Sequence, residues 1–156
     1  MFVALLIEGV IGGTALAVVA FLLSRFVRDV VGRTLLALVL IVAALIYVVF
    51  AVRAGESAFW LAGERMGIAL YGSMGVLGVR RSPWWLAAGW ALHPVWDMLL
   101  HYVGPGRAFA PETYTVTCLS YDLVVAAYIA AAYRFGWVGG RGPTRRDEPA
   151  YSLGAR

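Results

Sequence analysis

The segment HPVWDMLLH sets His93, Asp97 and His101 four residues apart within an otherwise apolar run. On a helix, residues four apart are offset by only about 40°, so these side chains form one polar stripe. An imidazole beside a carboxylate in low-dielectric surroundings is equipment for acid/base chemistry. The same residue types also ligate divalent metal ions. One ion cannot be held by all three, because His93 and His101 lie about 12 Å apart along the helix axis. The pair Asp97 and His101 can share an ion, with Asp122, Glu64 or Cys118 completing its shell. A third reading needs neither chemistry: a hydrogen-bonded network that only ties helices together. All three readings stay open at this level.

The elements that must position the stripe follow from hydropathy. The chain has 156 residues, 62% hydrophobic and 14% charged, which is far more apolar than a soluble domain. The excess falls in runs of roughly twenty residues, the length that crosses about 30 Å of hydrocarbon. Five transmembrane helices are expected, over 2–23, 34–52, 57–79, 84–103 and 114–137. The fold class is therefore an all-α integral membrane bundle within residues 1–138. Short loops make sequence neighbours antiparallel neighbours in space. The remainder, 139–156, is rich in Gly, Pro and charge and is expected to be a disordered cytoplasmic tail. MFVALLIEGVIGG lacks a basic n-region and carries Glu8, so it reads as a first span and not as a cleaved signal peptide.

All 13 basic residues are arginine, which excludes a Schiff-base or nucleophilic lysine. The single cysteine, Cys118, excludes an intrachain disulfide and a CxxC motif. Phosphate-loop, dinucleotide and serine-hydrolase elbow motifs are absent. Both histidines stand on one helix, which disfavours bis-His haem. The net charge of +4 is no nucleic-acid signal, because the arginines flank the spans. Ten of them (Arg25, Arg28, Arg33, Arg80, Arg81, Arg134, Arg141, Arg145, Arg146 and Arg156) fall on one side of the membrane, against Arg53 and Arg107 on the other. The positive-inside rule then puts the N-terminus outside and the C-terminus in the cytoplasm of a bacterial inner membrane. Trp84, Trp85 and Trp137 fall at the inner interface, with Trp60, Tyr102 and Tyr114 near the outer one.

With that orientation, Glu8, Glu64, Arg65, Asp97 and Asp122 lie at one depth, roughly 9–12 Å beneath the outer boundary. His101 lies above this layer and His93 about one turn below it. Charged groups deep in a membrane cost about 2.5–3.5 kcal/mol each unless they face one another or water. A shared pocket is therefore expected, with Arg65 paired to one of the carboxylates. Span two carries nothing ionisable and is expected to face lipid or a partner. Trp60, Glu64, Gly67 and Tyr71 share a face of span three, and Cys118, Asp122 and Val125 a face of span five, with Tyr121 beside them. Trp90, Trp96 and Tyr121 offer aromatic faces to an apolar or cationic ligand, although core packing is the stronger account of each taken alone. Cys118 is likewise accounted for as a small buried residue. Pro94 can kink span four and open space beside the stripe. Gly9 with Gly13, and Gly63 with Gly67, are small-xxx-small pairs that permit close packing.

SPWWLAAGWALHPVWDMLLHY followed by FAPETYTVTCLSYDLVVAAYI resembles a family of small bacterial integral-membrane proteins to which no activity is assigned. The resemblance rests on Gly89, Trp90, Leu92, His93, Trp96, Asp97 and His101, a GWxLHxxWDxxxH core, and then on Pro111, Cys118 and Asp122. It covers the last two spans. A second likeness, in architecture alone, is to sterol isomerases of the emopamil-binding type, small bundles with acidic and His residues around an apolar ligand.

The resulting expectation is a membrane protein with a site near the outer leaflet. His93, Asp97, His101 and Asp122 carry its chemistry; Glu64, Arg65, Trp90, Trp96 and Tyr121 bind its ligand. A divalent metal on Asp97, His101 and Asp122 is one version of it. The partners expected are the bilayer and a lipid-like or apolar small molecule, with no nucleic acid. A homo-oligomer stays open, because a channel or transporter needs more helices than one chain supplies. The alternative is a non-enzymatic membrane subunit whose buried charges are structural.

Overall fold

In the computed structural model, which describes residues 1–139, the chain is all-α: α1 (Phe2–Leu22), α2 (Asp29–Arg53), α3 (Ala58–Arg80), α4 (Pro83–Asp97) and α5 (Glu112–Arg134). The expected tail, 140–156, lies outside the described residues. Each break between helices has a local cause. Gly55, at φ +70°, closes α2, and Ser57 then accepts the Trp60 amide to start α3. Ser82 accepts the Trp84 amide, and Pro83 in the first turn starts α4. α2 begins five residues before the expected Thr34, because Arg28 is extended and Asp29 already opens the helix.

α1 packs on α5, α5 on α4, α4 on α3, α3 on α2, and α2 returns to α1, so the bundle closes on itself. Glycine sets the closest of these contacts. A Cβ on Gly9 would strike Ser120 and the Thr117 carbonyl, and one on Gly13 would lie 2.6 Å from the Tyr121 carbonyl. Ser120 Oγ also donates to the Leu6 carbonyl at 2.7 Å, binding α5 to α1. Gly63 differs from the expected pairing, because nothing approaches its missing Cβ. Of that pair, Gly67 alone is in contact, against the Trp96 indole.

Three helices are long and apolar enough to cross a membrane: α1 with the turn that extends it, α2 and α5. Their outer faces are greasy, with Ile7, Ile11, Leu38, Val42 and Leu123 exposed. α3 is diluted by Glu64, Arg65 and five glycines, and α4 is 15 residues long. These two and the turn after α4, with Asp122 of α5, supply the buried carboxylates and histidines of the bundle. At the end remote from the N-terminus, Asp29 pairs with Arg33 at 3.0 Å and accepts from the Tyr133 hydroxyl at 2.6 Å. Arg33 also donates to the Gly78 carbonyl at 3.2 Å, so one ionic clasp joins α2, α3 and α5.

Candidate functional site

Asp97 is the last residue of α4, and the chain then passes through a π-helical turn, Met98–Tyr102, closed by the Val103 amide on the Met98 carbonyl. A ring closed i→i+5 holds one residue more than an α-turn and rotates the residues beyond it. The expected single stripe is therefore split. His93 and Asp97 face α5, whereas His101 turns toward α3. His93 Nδ1 lies 2.8 Å from Asp122 Oδ2 and 3.4 Å from Asp97 Oδ2. His101 Nε2 lies 2.9 Å from Glu64 Oε1. All five side chains are at most 2% exposed.

An ionised carboxylate only accepts, so with Asp122 and Glu64 in that state His93 Nδ1 and His101 Nε2 are the donors. The second nitrogen of each ring, His93 Nε2 and His101 Nδ1, is buried without a partner among the described residues. Both Asp97 oxygens, Asp122 Oδ1 and Trp90 Nε1 share that condition. Buried polar atoms in folded chains are nearly all paired, so such a concentration around one point is the mark of a site.

Tyr47 belongs to it, from the helix expected to face lipid or a partner. One face of α2 is indeed exposed and apolar, at Leu38, Val42, Leu45 and Val49, but the other is packed inside: Leu36, Leu40, Ala44 and Tyr47 are buried, and Tyr47 is 1% exposed. Its ring stacks on His101 with centroids 3.9 Å apart, and its hydroxyl donates to Thr115 at 3.4 Å. The signal was present, since Tyr47 is the one hydroxyl-bearing residue in LLALVLIVAALIYVVFAV. Tyr71 holds the other histidine. Its ring meets His93 edge-on at 4.8 Å, and its hydroxyl donates to the Leu92 carbonyl at 3.3 Å.

Two expected members stand apart. Arg65 is exposed and makes no ion pair with Glu64, Asp97 or Asp122 among the described residues. Adjacent helical residues point about 100° apart, so turning Glu64 inward turns Arg65 outward. Glu8 is exposed on α1 for the same geometric reason, with Gly9 taking the packed face. The metal set Asp97, His101 and Asp122 is not the one that converges, because the π-turn hands His101 to Glu64. The ligand atoms that come within 4.8 Å of one another are those of His93, Asp97 and Asp122. Trp90 is fully buried and tilted against Tyr121 at 6.0 Å, while Trp96 and Tyr121 are half-buried. Cys118 is buried one turn before Asp122.

The site has a mouth at the end of the bundle that bears the N-terminus. A cleft of about 470 Å³ is lined by His101, Tyr102, Val103, Arg107, Ala110 and Glu112. Its roof is the GPGR turn, a short 3₁₀ segment at Pro105–Ala108. Gly106 lies on the His101 ring so closely that a Cβ would sit 2.7 Å from His101 Cδ2.

A model of a family of unknown function, DUF6010, matches residues 8–136. The chain belongs to DUF6010. The matched stretch takes in every residue of this DUF6010 chain's cluster and cleft, from Tyr47 to Asp122. No curated protein and no solved structure matches the chain. The likeness to sterol isomerases thus has no relative to stand on.

Proposed function

We propose that this DUF6010 protein is a multi-pass protein of the bacterial inner membrane with its N-terminus outside, and that it performs acid/base chemistry on a lipid-like molecule. The observation that carries the reading is His101. Its Nε2 is fixed by Glu64, its Nδ1 has no protein partner among the described residues, and the ring borders the polar cleft. A carboxylate that orients one imidazole nitrogen leaves the other free to take or give a proton, which is the arrangement general acid/base catalysis needs. Arg107 and Glu112 give the mouth a polar rim, and Phe109 meets both the His101 ring, at 5.7 Å, and Trp60, at 5.4 Å. A molecule with a charged or hydroxylated end and an apolar body suits that rim. Entry is along the bundle axis from the outer surface, in place of lateral entry from the bilayer. His93, Asp97 and Asp122 lie deeper, behind the acid/base pair.

The test is conversion or capture of a molecule that depends on the pair. Membranes containing wild type, His101→Ala or Glu64→Gln are incubated with total lipid extract, and both membranes and purified protein are profiled by mass spectrometry. One lipid-like species should be consumed or co-purified with wild type and spared by both variants, with circular dichroism showing an intact helical fold. If wild type neither retains nor alters any species relative to empty membranes, the acid/base reading fails and the network is structural.

A further inference from the structure

The deeper cluster fits a metal ion better than it fits a hydrogen-bonded network. We propose that His93, Asp97 and Asp122 hold one divalent first-row transition cation inside the bundle. This site is independent of what the cleft admits, and it excludes His101.

Three observations carry it. First, the donors converge from two helices: His93 Nδ1 is 3.4 Å from Asp97 Oδ2 and 2.8 Å from Asp122 Oδ2. Metal–ligand bonds of about 2.0–2.2 Å separate neighbouring ligand atoms by roughly 3.4 Å in a tetrahedral shell, so little movement is needed. Second, Asp97 is fully buried with neither oxygen bonded, and Asp122 Oδ1 is likewise unbonded. As a hydrogen-bonded network this leaves Asp122 Oδ1 without a donor and offers Asp97 only the nearby Tyr47 hydroxyl, which is turned to Thr115. As a metal shell it uses these oxygens, singly or bidentate. Third, the charges balance. Two carboxylates carry −2 and a neutral imidazole nothing, and no arginine among the described residues pairs with either acid. A divalent cation brings the cluster to zero in a low-dielectric core, where an uncompensated charge is most costly.

The atoms also balance. Binding replaces the proton that His93 Nδ1 now donates to Asp122. The ring stays neutral by carrying its proton on Nε2, the nitrogen without a partner. One imidazole nitrogen with two carboxylates is a mixed N/O set, which points to Zn²⁺, Mn²⁺, Fe²⁺ or Co²⁺ more than to Mg²⁺ or Cu⁺. Tyr71 packs edge-on against His93, and Trp90 of α4 packs against Tyr121 of α5, next to Asp122, so the two donor helices are held together at the cluster.

Cobalt(II) titrated into detergent-purified, chelator-treated full-length protein tests the site, because its visible d–d absorption reports ligand field as well as occupancy. Wild type should bind one Co²⁺ per chain with an absorption band that Zn²⁺ abolishes in competition. Asp97→Asn and Asp122→Asn, near-isosteric changes, should each weaken Co²⁺ binding by at least about 100-fold, more than loss of an outer-shell partner does. His101→Ala should keep full stoichiometry and the same band. A wild-type protein of intact helical content that binds no Co²⁺ overturns the proposal without recourse to any variant. So does binding that survives both Asn substitutions, or that disappears with His101→Ala.

Discussion

The tie between Glu64 and His101 can be weighed by a double-mutant cycle. Both side chains are almost wholly buried, at 2% and 1% exposure, and the 2.9 Å contact joins the second turn of α3 to the π-turn after α4. Two magnitudes compete. Breaking a buried ion pair in a soluble protein costs about 3–5 kcal/mol, because it strands the surviving charge. Interhelical hydrogen bonds in membrane proteins average only about 0.6 kcal/mol, up to about 1.7, because separated helices in a micelle find other partners. Glu64→Ala strands His101 with both ring nitrogens unpaired, and it also opens a void beside the ring. A loss of about 2 kcal/mol, between the two regimes, is expected. Glu64→Gln keeps an acceptor for Nε2 and should cost less than about 1 kcal/mol. The double change Glu64→Leu with His101→Leu removes both polar groups together and should recover most of the loss, since apolar replacement of a buried pair is often neutral. Equilibrium unfolding in mixed detergent and SDS micelles, followed by tryptophan fluorescence, measures wild type, Glu64→Leu, His101→Leu and their double variant as the four corners of the cycle, with Glu64→Ala and Glu64→Gln beside them. A coupling energy of about 1–1.5 kcal/mol is expected. A coupling near zero, with Glu64→Ala and Glu64→Gln indistinguishable, would mean that the contact holds nothing and that His101 is not oriented by Glu64.

Gly13→Ala should destabilise the bundle by about 1–3 kcal/mol, since its Cβ meets the Tyr121 backbone carbonyl at 2.6 Å and only separation of α1 from α5 relieves it. Gly63→Ala, with open space at that position, should be neutral or stabilising by up to about 1 kcal/mol; the same unfolding assay reads both, and equal losses would refute the packing argument. Gly106→Ala should lift the GPGR turn from the His101 ring, lowering melting temperature and accelerating amide exchange at 104–108 while the clasp at Asp29 keeps its protection. A C-terminal reporter fusion should be active as green fluorescent protein and inactive as alkaline phosphatase, and the reverse pattern would invert the orientation and move the cleft to the cytoplasmic side.

The sequence carried the site's residue types but not its pairing. Glu64, Asp97 and Asp122 are predictably inward, because an acid on an apolar helix has nowhere else to go that is cheap. Which histidine each acid meets depends on the π-turn at Met98–Tyr102, and no residue in MLLHY announces one. Arg65 misled for a related reason. Its charge complements Glu64 in principle, yet neighbours on a helix cannot share a face. α2 misled through its composition. A helix without ionisable groups looks like the one to turn toward lipid, but the apolar interior of the bundle needs such a helix too. Leu36 and Leu40 fill that core with Leu86 and Trp90. Tyr47 then brings to the site the one side-chain polar atom in that run of α2.

The π-turn also separates two kinds of chemistry that a straight α4 would merge. Had the helix continued regularly past Asp97, His101 would have followed His93 onto the α5 face, and both imidazoles would have competed for the two aspartates. Glu64 would then have been left buried without a partner. The additional residue in the turn sends His101 across to Glu64, where the Tyr47 ring and Gly106 lie against it, next to the cleft. His93 stays between Asp97 and Asp122, enclosed by Tyr71 and the buried Trp90 layer. One imidazole thus lines the cleft on a single carboxylate, and the other lies in the core between two. Regularising the turn, for example by deleting one of Leu99 or Leu100, should take His101 away from Glu64, an exchange of its carboxylate partner that leaves His93 in place. Loss of the Glu64–His101 coupling with retention of helical content would be the signature of that exchange.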